Sequence, residues 1–166
     1  PYNGTETMLY DIPLRAGQTS LGNTSYWLDS TFEPEFPFGY GLTYTTIEYS
    51  EPSVEKTEYG VNDVLRASVE ITNAGDREAE EVLQLYVRDM VGSVTRPVKE
   101  LKGFKRVKVA PGETVKVGFE LPVQDLAFYG IDMKKKVEPG KFRLWIAGDS
   151  ASGKPVEFEE KKKKKE

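Results

Sequence analysis

Leu65-Arg66-Ala67-Ser68-Val69-Glu70-Ile71 decides the fold of this 166-residue chain. Apolar and polar side chains alternate there without a fault. Leu65, Ala67, Val69 and Ile71 therefore share one face of an extended segment, and Arg66, Ser68 and Glu70 share the other. A β-strand with one covered face needs that period of two. Asn73-Ala74-Gly75-Asp76 follows, a cluster of turn-forming residues. Beyond it, Val82 to Val87 is apolar apart from Gln84, as expected of a central strand. Val98, Leu101, Phe104, Val107 and Val109 continue the series, and Ala110-Pro111-Gly112-Glu113 carries the Pro-Gly signature of a type II turn. Val115, Val117, Phe119 and Leu121 alternate again. Glu138-Pro139-Gly140-Lys141 repeats the Pro-Gly turn before Phe142, Leu144 and Ile146 line one face, with Arg143 and Trp145 on the other.

These segments give about seven strands separated by turn signals, with no amphipathic helix longer than two turns, which suits a two-sheet sandwich of immunoglobulin or fibronectin type III form. Fifteen Gly and ten Pro spread along the chain agree with many turns. Cysteine is absent, which removes the inter-sheet disulfide of antibody domains and favours the fibronectin-like variant. The fold class read from the sequence is all-β, with an aromatic-rich N-terminal arm. The sandwich is expected over residues 44–158, the arm over 1–43 and a charged, solvated tail over 159–166.

The inventory of side chains excludes several chemistries. Histidine and cysteine are both missing, so no Ser-His-Asp or Cys-His arrangement and none of the usual zinc sites can form. Gly39-Tyr40-Gly41 lacks the Lys-Ser or Lys-Thr of a phosphate loop. A pair of carboxylates would suffice for a glycosidase. Yet Glu70, Glu100 and Glu120 sit on or beside strands, Asp76 and Glu113 belong to turns, and Glu78, Glu80 and Glu81 form a surface cluster. No catalytic residue, cofactor or metal is expected. The net charge is −4 and the one basic run is Lys161 to Lys165, so nucleic acid is not an expected partner. No apolar run is long enough for a membrane-spanning helix. Pro1-Tyr2-Asn3-Gly4 is neither an initiator Met nor a signal peptide, and reads as a cut through something longer. The absence of Cys fits a periplasmic or secreted location, and the cytoplasm equally. Asn3-Gly4-Thr5 and Asn23-Thr24-Ser25 match the glycosylation triplet, a pattern frequent by chance.

The arm is not a free linker. Tyr26, Trp27, Phe32, Phe36, Phe38, Tyr40 and Tyr44 crowd its second half, and rings of that size are poorly placed in solvent. Aromatics on a sandwich also suggest a carbohydrate-binding module, with Trp27, Trp145 and Tyr129 as stacking platforms, or an adhesion domain without catalysis.

Phe36-Pro37-Phe38-Gly39-Tyr40-Gly41-Leu42-Thr43-Tyr44-Thr45 resembles the junction that leads into the last domain of family 3 glycoside hydrolases, the β-glucosidases and β-xylosidases. Trp27-Leu28-Asp29 resembles the Tyr-Leu-Asp element that precedes it there. The similarity continues through Val82 to Asp89, Ser93 to Phe104, Pro111-Gly112-Glu113, Leu126-Ala127-Phe128-Tyr129 and Val137-Glu138-Pro139-Gly140. The resemblance implies a fibronectin type III-like accessory domain that stabilises a retaining hydrolase acting on terminal β-linked glucose or xylose, and that borders its substrate entrance. Family members carry the nucleophilic Asp on a TIM-like barrel and the acid/base carboxylate on the following α/β sandwich, both upstream of anything here. The partners implied are those catalytic domains, in cis or as a separate chain, and the glycoside of the assembled enzyme. Trp27, Phe36, Phe38, Tyr40 and Tyr44 would then fill the seam between domains. The loop from Asp89 to Pro97 would reach toward the catalytic domains, with Arg88 or Arg96 pairing a carboxylate there. The alternative is a solvated loop with ordinary surface arginines.

Overall fold

A computed structural model describes residues 36–94 and 96–161. Two sheets face each other across one core. In the first, β4 (Val64–Asn73) pairs antiparallel with β7 (Thr114–Pro122) along its whole length. On its other side lie two short strands, β1 (Ile47–Tyr49) and β2 (Ser53–Val54). The second sheet runs in the order β3 (Glu58–Tyr59), β11 (Val156–Glu160), β10 (Gly140–Ala147), β5 (Ala79–Asp89) and β6 (Glu100–Val109), with only β3 and β11 parallel. A 3-10 turn (Val123–Leu126) and a small hairpin of β8 (Phe128–Tyr129) and β9 (Lys135–Lys136) close one end. Among the described residues, seven strands have three residues or more and four have two. The all-β sandwich expected from the sequence is what the chain forms.

Alternation becomes burial as anticipated. Leu65, Ala67, Val69 and Ile71 of β4 and Val117, Phe119 and Leu121 of β7 meet Leu83, Leu85 and Val87 of β5 and Phe142, Leu144 and Ile146 of β10. Phe142 stacks on Phe158 with ring centroids 5.2 Å apart, and Tyr59 meets Phe158 edge-on at 5.9 Å. Each such large side chain withdrawn from water contributes about 1.5–3 kcal/mol.

Asn73 ends β4 as more than a turn residue. Its side chain is 0% exposed, and all its polar groups are used. Nδ2 donates to Arg77 O at 2.7 Å and Val109 O at 2.9 Å. Oδ1 accepts from Thr45 Oγ1 at 2.7 Å and Gly75 N at 3.1 Å. The backbone N–H donates to Glu113 O, and its carbonyl accepts from Gly112 N. One amide thus ties the β4–β5 turn, the β6–β7 turn and the start of β1 together.

Three details differ from the sequence reading. The pairing of β5 with β6 slips between Leu85 and Tyr86, so that Leu85 faces Gly103 and Tyr86 faces Leu101. This bulge turns Leu101 outward, while Phe104, opposite Gln84 and three residues before the inward-facing Val107, already lies on the outer face by plain alternation. Lys105 lies across the open side between the sheets, its Nζ donating to Gly118 O of β7 and lying 5.4 Å from the Phe119 ring centroid. Lys102 Nζ donates to Asp125 O at 3.1 Å a little further along. Gly112 has the positive φ of a type II turn (73°), closed by Glu113 N to Ala110 O. Gly140 does not; it opens β10 as an extended residue. The last strand runs to Glu160 and Lys161 N donates to Tyr59 O, past residue 158 where the sequence placed the domain's end.

Candidate functional site

The arm reaches the sandwich through a tight turn. Tyr40 N donates to Pro37 O, with Gly39 at φ 81° in the position of a type II turn that requires positive φ. Phe38 O accepts from Ser150 N at 2.9 Å. Gln84, the polar break in the apolar run of β5, is buried beneath this turn. Its Nε2 donates to Gly39 O at 3.1 Å and to Gly148 O, while its Oε1 accepts from Tyr86 Oη. Contact with the turn is so close that a Cβ on Gly39 would stand 2.0 Å from Gln84 Oε1. At the other end of the arm Thr45 is held by Asn73, and Thr46 O accepts from Ala74 N.

Between the arm and the outer face of β5 and β6 lies a groove of about 910 Å³. Its apolar lining includes Phe38, Tyr40, Leu42, Tyr44, Leu101 and Phe104. Tyr44 is 91% exposed and Phe104 70%. Four carboxylates, those of Glu78, Glu80, Glu81 and Asp149, complete the lining, and no Lys or Arg is among it. Glu81 accepts from Tyr49 Oη at 2.6 Å, and burial together with that carboxylate pushes the Tyr49 phenol far above its usual range. Glu80 pairs with Arg106 at 3.3 Å on an exposed flank.

The sequence-predicted site residues separate into two groups. Phe36, Phe38, Tyr40 and Tyr44 are all exposed on the arm, and the Phe36 and Tyr40 rings touch with centroids 5.1 Å apart. Trp27 and both glycosylation triplets lie outside the described residues. Arg96 is committed within the domain: it pairs with Glu100 and lies 4.1 Å over the Phe128 ring. Arg88 faces Arg143 of β10 and has no ion pair among the described residues. The loop itself is tied back by Glu138, which accepts from Ser93 N at 2.9 Å and Ser93 Oγ at 2.7 Å. Those bonds hold the Glu138 carboxyl below its ordinary range, whereas burial raises that of Asp89.

Trp145 is no sugar platform. It is 8% exposed, capped by Lys99, whose Nζ lies 4.5 Å from the indole and donates to Ser150 O. Tyr129 remains exposed on the small hairpin, next to Ile131 and Met133. Leu42, Leu101, Phe104 and Gln84 were missed as site residues. Gln84 interrupting an apolar run was a readable signal, as was the odd spacing of Phe104 from Val107 and Val109; the exposure of Leu101 follows from the bulge, which nothing in the sequence announces. Among the described residues no three acidic side chains converge as metal ligands do.

Lys99 offers a pH test. Desolvation lowers its ammonium below the usual 10.5, with Asp149 opposing. The unfolded chain then binds more protons than the folded one between the depressed value and 10.5, so this group's contribution to stability rises with pH across that window. Lys99→Met is expected to leave stability near pH 7 within about 1 kcal/mol, since the stem packs on the indole either way. It should also flatten the rise toward pH 10, read from urea midpoints at a series of pH values. An unchanged alkaline slope would show that Lys99 is fully solvated.

Comparison with known proteins gives a consistent picture. The fibronectin type III-like domain pattern matches residues 81–150. The chain is 42% identical over 136 residues to a periplasmic beta-glucosidase of Salmonella typhimurium, covering 82% of this chain and 18% of that protein. It is 46% identical over 117 residues to a beta-xylosidase of Formosa agariphila, covering 70% of this chain and 16% of the other. A crystal structure of beta-glucosidase from Listeria innocua in complex with glucose superimposes with a TM-score of 0.76 at 35% identity, over 89% of this chain and 20% of that one. The chain thus spans less than a fifth of the length of these two sequence relatives.

Proposed function

Because this chain belongs with the fibronectin type III-like accessory domains of family 3 glycoside hydrolases, we propose that it steadies the catalytic domains of a β-glucosidase- or β-xylosidase-type enzyme by packing the rings of its arm against them. The observation that carries this reading is the row of exposed aromatics at Phe36, Phe38, Tyr40 and Tyr44. Their backbone is anchored by Gln84 and Ser150 while their rings are left to solvent. A domain that held its own arm for its own sake would turn those rings inward. Trp27 belongs to the same seam, and Arg88, unlike Arg96, keeps its guanidinium for a carboxylate across it. The assembled enzyme would hydrolyse terminal β-linked glucose or xylose with retention, the carboxylates of that reaction lying in the catalytic domains. A periplasmic location follows the Salmonella relative; no helix among the described residues is long and apolar enough to cross a membrane.

The test is a chimera in which this chain replaces the matching segment of the Salmonella periplasmic beta-glucosidase. Hydrolysis of a nitrophenyl β-glucoside and thermal inactivation are compared with the parent and with a version lacking the segment. Activity and heat resistance close to the parent are expected. A chimera no better than the deletion would overturn the accessory role. Of the platforms expected for a free-standing carbohydrate-binding module, Trp145 is covered and Tyr129 is exposed, a lone ring that supports that reading less than the row of rings on the arm supports packing.

A further inference from the structure

The groove beside the arm has a chemical character that the accessory role by itself does not require. Phe104, on the outer face of β6 by alternation, and Leu101, turned outward by the β5–β6 bulge, form one wall, and Leu42 and Tyr44 form the other. Solvent-exposed apolar side chains brought together on two facing walls mark an interaction site. The groove has four carboxylates and no cation in its lining. Glu81 and Glu80 have partners at Tyr49 and Arg106, and Asp149 is occupied in its own turn by Ala151 N and Ser152 N. Glu78 has no partner among the described residues, so the rim keeps a net negative field that would repel an acidic occupant and attract a basic one.

The outer face of the first sheet offers a contrast. Its central part is polar and internally paired. Arg66 reaches both Glu120 at 3.0 Å and Glu55 at 3.4 Å, Ser53 meets Ser68, and Thr72 meets Thr114. That face can remain in water, whereas the groove leaves apolar area uncovered, as the β8–β9 hairpin does at Tyr129, Ile131 and Met133; only the groove adds an acidic rim to it. The segment that leaves the sandwich does so there, since the arm is itself a wall. Anything attached through the arm is therefore held at high effective concentration beside the groove.

We infer that the groove between the arm and the Leu101–Phe104 stretch of β6 receives an apolar segment of the catalytic domains flanked by Lys or Arg. This rests on the accessory-domain reading and names the second half of the interface together with the chemistry of its partner. Phe104 fills the apolar contact and the Glu78–Glu80 rim receives the basic flank.

The chimera with the Salmonella enzyme again serves, now carrying Phe104→Ser or the pair Glu78→Lys and Glu80→Lys. All three positions are exposed, so the isolated chain with either change should keep its own urea midpoint, which is measured as a control. In the chimera, Phe104→Ser is expected to shorten the half-life at the parent's inactivation temperature about tenfold, the effect of losing one buried ring. The double charge reversal should shorten it severalfold, with the loss largest at low salt. Half-lives unchanged by both alterations, in a chimera that otherwise matches the parent, would overturn this inference and leave the accessory role standing. A chimera that never exceeds the deletion would overturn both. Two other occupants are also checked in the isolated chain. Binding of cellotetraose, or self-association in sedimentation, lost on Phe104→Ser in either case, would assign the groove to a sugar or to a second copy and overturn the proposal.

Discussion

Asn73→Ala is expected to cost the isolated chain about 3 kcal/mol of unfolding free energy, the sum of lost hydrogen bonds near 1 kcal/mol each and of buried groups left without partners. The methyl group cannot donate to Arg77 O or Val109 O, nor accept from Thr45 and Gly75 N. Water does not reach the site readily, because Asn73 is 0% exposed. Two turns and the entry to β1 would loosen together, so the loss should be seen both in the urea midpoint and in faster amide exchange at Gly75 and Gly112. Thr45→Val removes one of the four side-chain bonds and should cost nearer 1 kcal/mol. Asn73→Ala costing no more than Thr45→Val would mean that the amide is not the hub its geometry describes.

Gly39→Ala is the second large effect, and it falls on the arm rather than on the core. A non-glycine residue at positive φ costs about 1–2 kcal/mol, and the added carbon would meet Gln84 Oε1 at 2.0 Å. Relief requires either the turn or the Gln84 amide to withdraw, which breaks the bonds to Gly39 O and Gly148 O and from Tyr86. The arm should detach while the two sheets stay folded. Exchange of the Ser150 and Tyr40 amides, bonded to Phe38 O and Pro37 O, would then accelerate tenfold or more while amides of β4 and β10 stay protected. A double cycle sharpens the point. With Gln84→Ala already present the steric part vanishes, so Gly39→Ala should cost only its backbone strain. Full additivity of the two changes would place the arm away from Gln84.

Much of this architecture could be read from residue types because the sheets obey a local rule. In β4, β7 and β10 the side-chain period is two and one face is dry, so apolar positions announced the inner faces of Leu65 to Ile71, Val115 to Leu121 and Phe142 to Ile146. The rule failed at Leu101 in β6, where the register shift opposite Tyr86 depends on how the strand pairs with its neighbour β5 and not on the residue types of β6 itself. Leu101 was therefore read with the core series, whereas Phe104, three residues before Val107, belonged on the outer face by the same alternation. Pro-Gly was ambiguous for a related reason. At Gly112 the chain reverses between β6 and β7, but at Gly140 it simply enters a strand, and only the surroundings distinguish the two. The site was legible in composition and not in geometry. The crowd of aromatics identified the arm, whereas its anchoring to Gln84 and the acidic wall opposite required the folded chain. Arg88 and Arg96 were alike as sequence; the Phe128 ring and Glu100 separate them.

Lys105 and Lys102, lying across the side where β6 and β7 run at the margins of their sheets, bear on how this domain behaves when moved. A sheet margin with free carbonyls is a template for strands of other molecules, and lysines placed there discourage such pairing. Here one of those carbonyls, that of Gly118, already has an ammonium bonded to it, so an incoming strand would have to displace a charge. The module can therefore carry a sticky face for one partner and still travel between polypeptides without polymerising through its edges. Docking and contagion are separated onto different sides of the same sandwich, and Lys105→Val, harmless to a domain sealed in its enzyme, should first reveal itself as turbidity when the domain is made alone.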